Sequence, residues 1–216
     1  MTKKYELVLD DTISFWGWKL FRIRALISFG SIEAGDLGGY IEKEDNLSHD
    51  GNAWVYGNAE VSGNAEVSGN AKVSGNAKVS GNAKVSGNAE VSGNAEVLGN
   101  AEVWGNAKVS GNAEVWGNAE VWGNAEVSGN AEVSGNAEVS GNAEVSELGD
   151  IIVFKNHWSS GRHFTYTKSN KMWKVGCFYG TGQELIKKAY RDSEKSGNYY
   201  KAYVDFVETL ERLSEE

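Results

Sequence analysis

From Gly51 to Ser146 the chain repeats Gly-Asn-Ala-x-Val-x sixteen times with no insertion, and only the fourth and sixth positions vary. A six-residue period is neither helical nor that of a simple hairpin. Within each unit Ala-x-Val-x alternates small apolar, polar, β-branched, polar, which is the period-2 pattern of a short strand with one buried face. Gly-Asn then supplies a corner, because both residues tolerate positive φ. A strand and a corner every six residues turn the chain in one sense, so the tract predicts a coiled solenoid with Ala and Val inside. A flat meander is excluded, because it would expose a face rich in valine.

The unit Val-Ser-Gly-Asn-Ala-Glu resembles the hexapeptide repeat of left-handed parallel β-helix proteins. The resemblance implies a mainly β fold, a left-handed prism with three hexapeptides and eighteen residues per coil. Sixteen repeats then make about five coils, and at about 4.8 Å per strand the prism is roughly 25 Å long. An N-terminal β cap with an irregular first coil (1–50), the β-helix (51–146) and a small α+β domain (147–216) make up the expected chain.

With eighteen residues per coil, the fourth positions form three columns. They run Trp54, Lys72, Glu90, Lys108, Glu126, Glu144; then Glu60, Lys78, Glu96, Glu114, Glu132; then Glu66, Lys84, Glu102, Glu120, Glu138. The tract holds 4 lysines and 11 glutamates, a net of −7. This is a solvated acidic face, or a decoy that mimics the charge of DNA. The sixth positions are mostly serine. The exceptions at the tract's centre, Leu98, Trp104, Trp116 and Trp122, fall in two columns at a spacing of 18, Leu98 with Trp116 and Trp104 with Trp122. Such an apolar patch predicts an interface with other copies of the chain, a trimer among the options. A stacking platform for a sugar or base is the alternative.

In the N-terminal segment, Tyr5–Leu9, a turn at Asp10-Asp11, then Thr12–Trp16 and Trp18–Leu26 read as strands. Ala34–Ile41 resembles an irregular first coil, and Trp54 and Tyr56 are placed to contact the cap. A solenoid end exposes unpaired backbone and needs such a cover. Beyond the tract, 150–155, 162–167 and 171–179 read as strands. A capping box at Thr181-Gly182-Gln183-Glu184 opens a helix to Lys195, and a second helix spans 198–213.

Charge is unevenly spread. Residues 151–191 hold eight bases and the single acid Glu184, a net of +7, within a chain of −9. The bases alternate with aromatics, as core residues and outward lysines do in a strand. Arg162, His163, Lys168, Lys171 and Lys174 are the candidate ligands for an anion such as a nucleotide. Docking of the bases on the acidic solenoid is the other use for them. Gly180-Thr181-Gly182 lacks a full phosphate-loop pattern and reads as a helix start.

The layout is similar to phage and prophage proteins of uncharacterised function. It shares a segment with Asp36-Leu37-Gly38-Gly39-Tyr40-Ile41, a Gly-Asn-Ala tract and a small terminal domain with Val175-Gly176-Cys177-Phe178-Tyr179-Gly180-Thr181. Many hexapeptide-repeat proteins are acyltransferases that use a histidine on the helix surface. The three histidines here, His49, His157 and His163, all lie outside the repeats, and no loop leaves them. A carbonic-anhydrase-like metal site would need several histidines on adjacent coils. Ser159, His163 and Cys177 have no spacing that pairs them, so no catalytic residue, metal or cofactor is expected. One cysteine forbids an intrachain disulfide. No long apolar run follows Met1, and the net charge opposes general binding to nucleic acid or membrane. The expectation is a non-enzymatic, self-associating scaffold of the bacterial host cytoplasm. A host protein or an anionic nucleotide is the alternative partner.

Overall fold

The computed structural model describes residues 3–15 and 18–214. The chain divides into two compact units, Met1–Asp150 and Ile151–Glu216. The division falls four residues after Ser146, the last residue of the hexapeptide tract.

In the first unit, sixteen two-residue strands, β4 (Trp54–Val55) to β19 (Glu144–Val145), occupy the fourth and fifth positions of successive hexapeptides. Each pairs in parallel with the strand eighteen residues away, as Glu96 with Glu114 and Val97 with Val115. Three sheets result, so one coil is three hexapeptides and the section is three-sided. Every Ala and Val of the repeat is buried. The core is narrow because its side chains are small, and the three backbones close around it.

The corner differs from the expectation in one respect. Glycine alone takes positive φ, and none of the repeat asparagines does. At Gly81, with φ +77°, a Cβ would meet the carbonyl oxygen of Gly99 at 2.8 Å, so both the conformation and the coil spacing exclude a side chain. The asparagine has a different role. Twelve Nδ2–H groups donate to the Oδ1 of the asparagine eighteen residues on, as Asn82 to Asn100 at 2.9 Å and Asn100 to Asn118 at 2.9 Å. Three amide ladders therefore run along the corners.

The solenoid makes about six turns, five from the repeats and one more, as the expected irregular first coil requires. The extra one is the irregular coil before the repeats. β3 (Leu37–Ile41) pairs in parallel with Glu60–Val61, and Leu47 bridges Val67, both at an offset of twenty residues. Ahead of it, β1 (Tyr5–Phe15) and β2 (Trp18–Ala25) form an antiparallel hairpin that continues the same sheet. β1 is one strand with a bulge between Val8 and Thr12, so Asp10-Asp11 is not a turn. Trp16, read as a strand end, lies outside the described residues.

The carbonyls of the first repeat coil take their donors from the irregular coil and the strand ahead of it. Ala59 O accepts from the Tyr40 amide at 2.9 Å, Ala65 O from Asn46 Nδ2 at 2.8 Å and Ala53 O from Lys4 Nζ at 2.9 Å. The Tyr5 ring stacks on His49, and Trp54 packs edge-on to Tyr5 and Phe29. At the other end, Asp150 Oδ2 accepts from the amides of Ser146 and Glu147.

The second unit is an antiparallel meander followed by two helices. Its strands are β20 (Ile151–Lys155), β21 (His163–Thr167), β22 (Met172–Val175) and β23 (Phe178–Thr181). The expected single strand over 171–179 is therefore a hairpin, broken at Gly176-Cys177. α1 (Gly182–Asp192) opens on the expected capping box, with the Thr181 amide donating to Glu184 at 2.8 Å and the Glu184 amide to Thr181 Oγ1 at 3.4 Å. α2 (Glu194–Ser214) begins four residues earlier than expected. Gly197 lies inside it, because a Cβ there would fall 2.2 Å from the Tyr190 ring. Phe164, Tyr166, Trp173, Leu185, Tyr200, Val204 and Val207 form the core. Among the described residues no helix is long and apolar enough to cross a membrane.

Two outcomes test this fold. Val103→Asp buries an unpaired carboxylate and is expected to cost about 3–5 kcal/mol in urea unfolding; stability equal to the parent's would place Val103 outside the core. The second concerns Lys4. Burial lowers its pKa to about 8, against the opposing pull of Asp50. The unfolded chain keeps that proton to about pH 10.4. Between pH 8 and 9.5 the unfolded state thus binds more protons, and stability rises with pH. The melting temperature is expected to climb over that window in the parent and to stay flat in Lys4→Met.

Candidate interaction surface

The parallel register that builds the core also fixes what stands outside it. The third sheet carries the column Glu66, Lys84, Glu102, Glu120, Glu138. Its two bordering corners carry the sixth-position columns. Leu98 and Trp116 stand at one border, Trp104 and Trp122 at the other. The topology therefore places the four predicted residues at the two borders of one sheet, in two adjacent coils, and stacks Trp104 on Trp122.

The Trp104 and Trp122 rings are parallel, 1° apart in plane and 4.9 Å between centroids. That separation is the coil spacing itself, so the backbone ladder places the indoles in stacking contact. Trp104 and Trp116 are 37% and 40% exposed, although indole is the largest apolar side chain. Trp122 and Leu98 are half-buried. Ser140 continues the Trp104 column and is the one sixth-position serine that is buried. Serine occupies the same backbone position elsewhere in the tract, so the coil does not require an indole there.

The charged columns are not uniform. Lys72 meets Glu90 at 3.2 Å, Lys84 meets Glu102 at 3.6 Å and Lys108 meets Glu126 at 2.9 Å. These exposed pairs alternate sign through most of the first column and in the early coils of the other two. The later coils of those two columns stack like charge, with Glu96, Glu114 and Glu132 in direct register, and Glu102, Glu120 and Glu138 likewise.

The basic candidates of the second unit fall into two groups. Arg162 and His163 line a cavity of about 220 Å³ with Asn156, Ser160, Cys177 and Tyr200. Lys174 is near this end, where its Nζ donates to the Gly176 carbonyl. Lys168 and Lys171 sit in the opposite turn, between β21 and β22. Lys171 pairs with Glu211 at 3.6 Å and has a left-handed φ of 54°. Five strand residues separate the two groups, roughly 15 Å at strand rise, so the five bases do not converge on one small anion. Lys187, Lys188 and Arg191 lie on the exposed side of α1. Phe164, Tyr166 and Trp173 are core, as their alternation with bases predicted, but Thr165 and Thr167 are buried as well. Burial raises the Tyr166 phenol, and its hydrogen bond to the Glu211 carboxylate adds to the shift.

Sequence reasoning missed the asparagine ladders and the cap donors Lys4 and Asn46. The signal for the ladders was present. Asparagine is invariant in all sixteen repeats, where a turn alone would accept serine or aspartate. Lys4 gave no such signal, since its partners are backbone carbonyls almost fifty residues away.

Against known proteins, the chain matches no family model and no curated sequence.

The glutamate registers generate a prediction. Like charges on neighbouring strands cost a few tenths of a kcal/mol each, and the screening length is about 10 Å at 0.1 M salt. Moderate sodium chloride is expected to raise the melting temperature slightly. Glu114→Lys, which makes its column alternate, is expected to raise the melting temperature at low salt and flatten the salt response. A parent whose melting temperature falls steadily with salt contradicts net repulsion in these columns.

Proposed function

We propose that the chain is a non-enzymatic, phage-derived interaction protein. Its solenoid is a stiff scaffold, and its tryptophan face binds another copy of the same chain. The observation that carries this reading is the stacked Trp104–Trp122 pair, with Trp104 and Trp116 each more than a third exposed. Exposed contiguous apolar surface on a charged protein marks an interaction site. Tryptophan is also the residue type most enriched where binding energy concentrates. The substitution of serine by tryptophan within a repeat that folds with serine argues for a use outside the core. The resemblance of the layout to phage proteins is the support for a phage origin, with the host cytoplasm as its setting.

The acyltransferase reading has little to stand on. His49 belongs to the cap, stacked on Tyr5 at 4.4 Å, and the other two histidines belong to the second unit. A second reading, capture of an anionic nucleotide, draws on the cavity shared by Arg162 and His163. Calorimetry with nucleoside phosphates on the parent and on Arg162→Ala separates it. Salt-sensitive binding lost in the variant favours capture, and no binding leaves the scaffold reading.

Trp104→Ser combined with Trp122→Ser restores the repeat's own consensus, so the solenoid is expected to fold as before. Light scattering is expected to give the mass of one chain for this variant and a multiple of it for the parent. An unchanged multiple moves the interface away from this face.

A further inference from the structure

We infer that two copies meet on the tryptophan face in an antiparallel, two-fold arrangement, with Lys84 of each copy opposite Glu138 of the other. This rests on the self-association proposed above and specifies its geometry. The heights of the apolar and charged residues along the solenoid select this arrangement.

The patch occupies two adjacent coils. Leu98 and Trp104 border the level of Glu102, and Trp116 and Trp122 border the level of Glu120. Two symmetric ways of joining this face differ in what they place together. An axis along the solenoid, two-fold or three-fold, sets each level against itself. The central column then meets in five like pairs, including Lys84 with Lys84, Glu120 with Glu120 and Glu138 with Glu138. Like charges brought together at an interface oppose association.

The other axis lies in the interface, perpendicular to the solenoid and midway between the levels of Glu102 and Glu120. It reverses the order of the coils. Trp104 then packs on Trp122 of the second copy, and Leu98 on its Trp116, so both apolar columns are covered by apolar columns. Lys84 faces Glu138 of the second copy, and symmetry makes that contact twice. Packed sheets lie about 10 Å apart, a gap that a lysine and a glutamate reaching from opposite sides can close. Glu102 faces Glu120 of the second copy, and Glu102 already has Lys84 beside it at 3.6 Å. The antiparallel arrangement therefore has two opposite-charge and two like-charge contacts in this column, against five like pairs for an axis along the solenoid. An isologous patch of this kind closes on itself and makes no filament.

Charge reversal separates the arrangements. The dissociation constant is measured by sedimentation for the parent, Lys84→Glu, Glu138→Lys and the double swap, with thermal melting as the control for folding. The antiparallel dimer predicts that each single change weakens association about fivefold or more, through two weakened ion pairs, and that the double swap returns it to within about twofold. A double swap that stays weak, single changes without effect, or a trimer mass overturns the arrangement. If the Trp104→Ser, Trp122→Ser variant still dissociates in that case, self-association through the face survives. A parent that is monomeric at every concentration overturns both.

Discussion

The structure depends on one hydrogen bond repeated along the solenoid, from the amide of one residue to the carbonyl seventeen positions on. Glu96 donates to Ala113, Leu98 to Val115 and Asn100 to Gly117, each within 2.7–2.9 Å. That register puts chemically identical positions one strand spacing apart, over every coil. Valine then covers valine inside, asparagine amides chain along the corners, and the corner glycines approach too closely for a Cβ. Outside, the same rule stacks the indoles and aligns the glutamates. The interaction surface and the electrostatic cost of the acidic columns are therefore products of a single geometric constraint.

A ladder of this kind has two ends, and each leaves backbone groups exposed. Side chains close the first end. A lysine ammonium and an asparagine amide stand where a preceding coil's N–H groups would be, and Tyr40 supplies the third donor from its backbone. Burial of an ammonium among carbonyls is costly to its charged form, which is why Lys4 titrates low. The hairpin ahead of the first coil completes the cover by extending one of the three sheets.

Much of this was legible in the repeat. Six-residue spacing, alternation within the unit and valine at a fixed place were enough to put Ala and Val inside and the variable positions outside. The eighteen-residue coil needed a resemblance, because nothing in a hexapeptide alone says how many of them close a turn. The four apolar residues were legible by their departure from serine, and their spacing gave their columns. What the sequence hid was long-range. Lys4 and Asn46 act on carbonyls 17 to 49 positions away with no local pattern. In the second unit, Gly197 looked like a break between helices. It lies within one because the Tyr190 ring needs the space. The basic stretch looked like one patch in one dimension, and the meander sends its members to opposite ends of the sheet.

The core, the corner ladders and the stacked indoles all follow from the eighteen-residue coil, which a pair of cysteines can measure directly. In a Cys177→Ser background, Ser74→Cys with Ser92→Cys places two thiols in one column on adjacent coils. Their Cα atoms are then about 4.8 Å apart, inside the range a disulfide spans. Ser74→Cys with Ser86→Cys, two repeats apart, places them on different corners. Mild oxidation of the folded protein is expected to close the first pair within one chain and leave the second reduced. Closure of the second pair in preference to the first would contradict the coil, and with it the stacked tryptophan face.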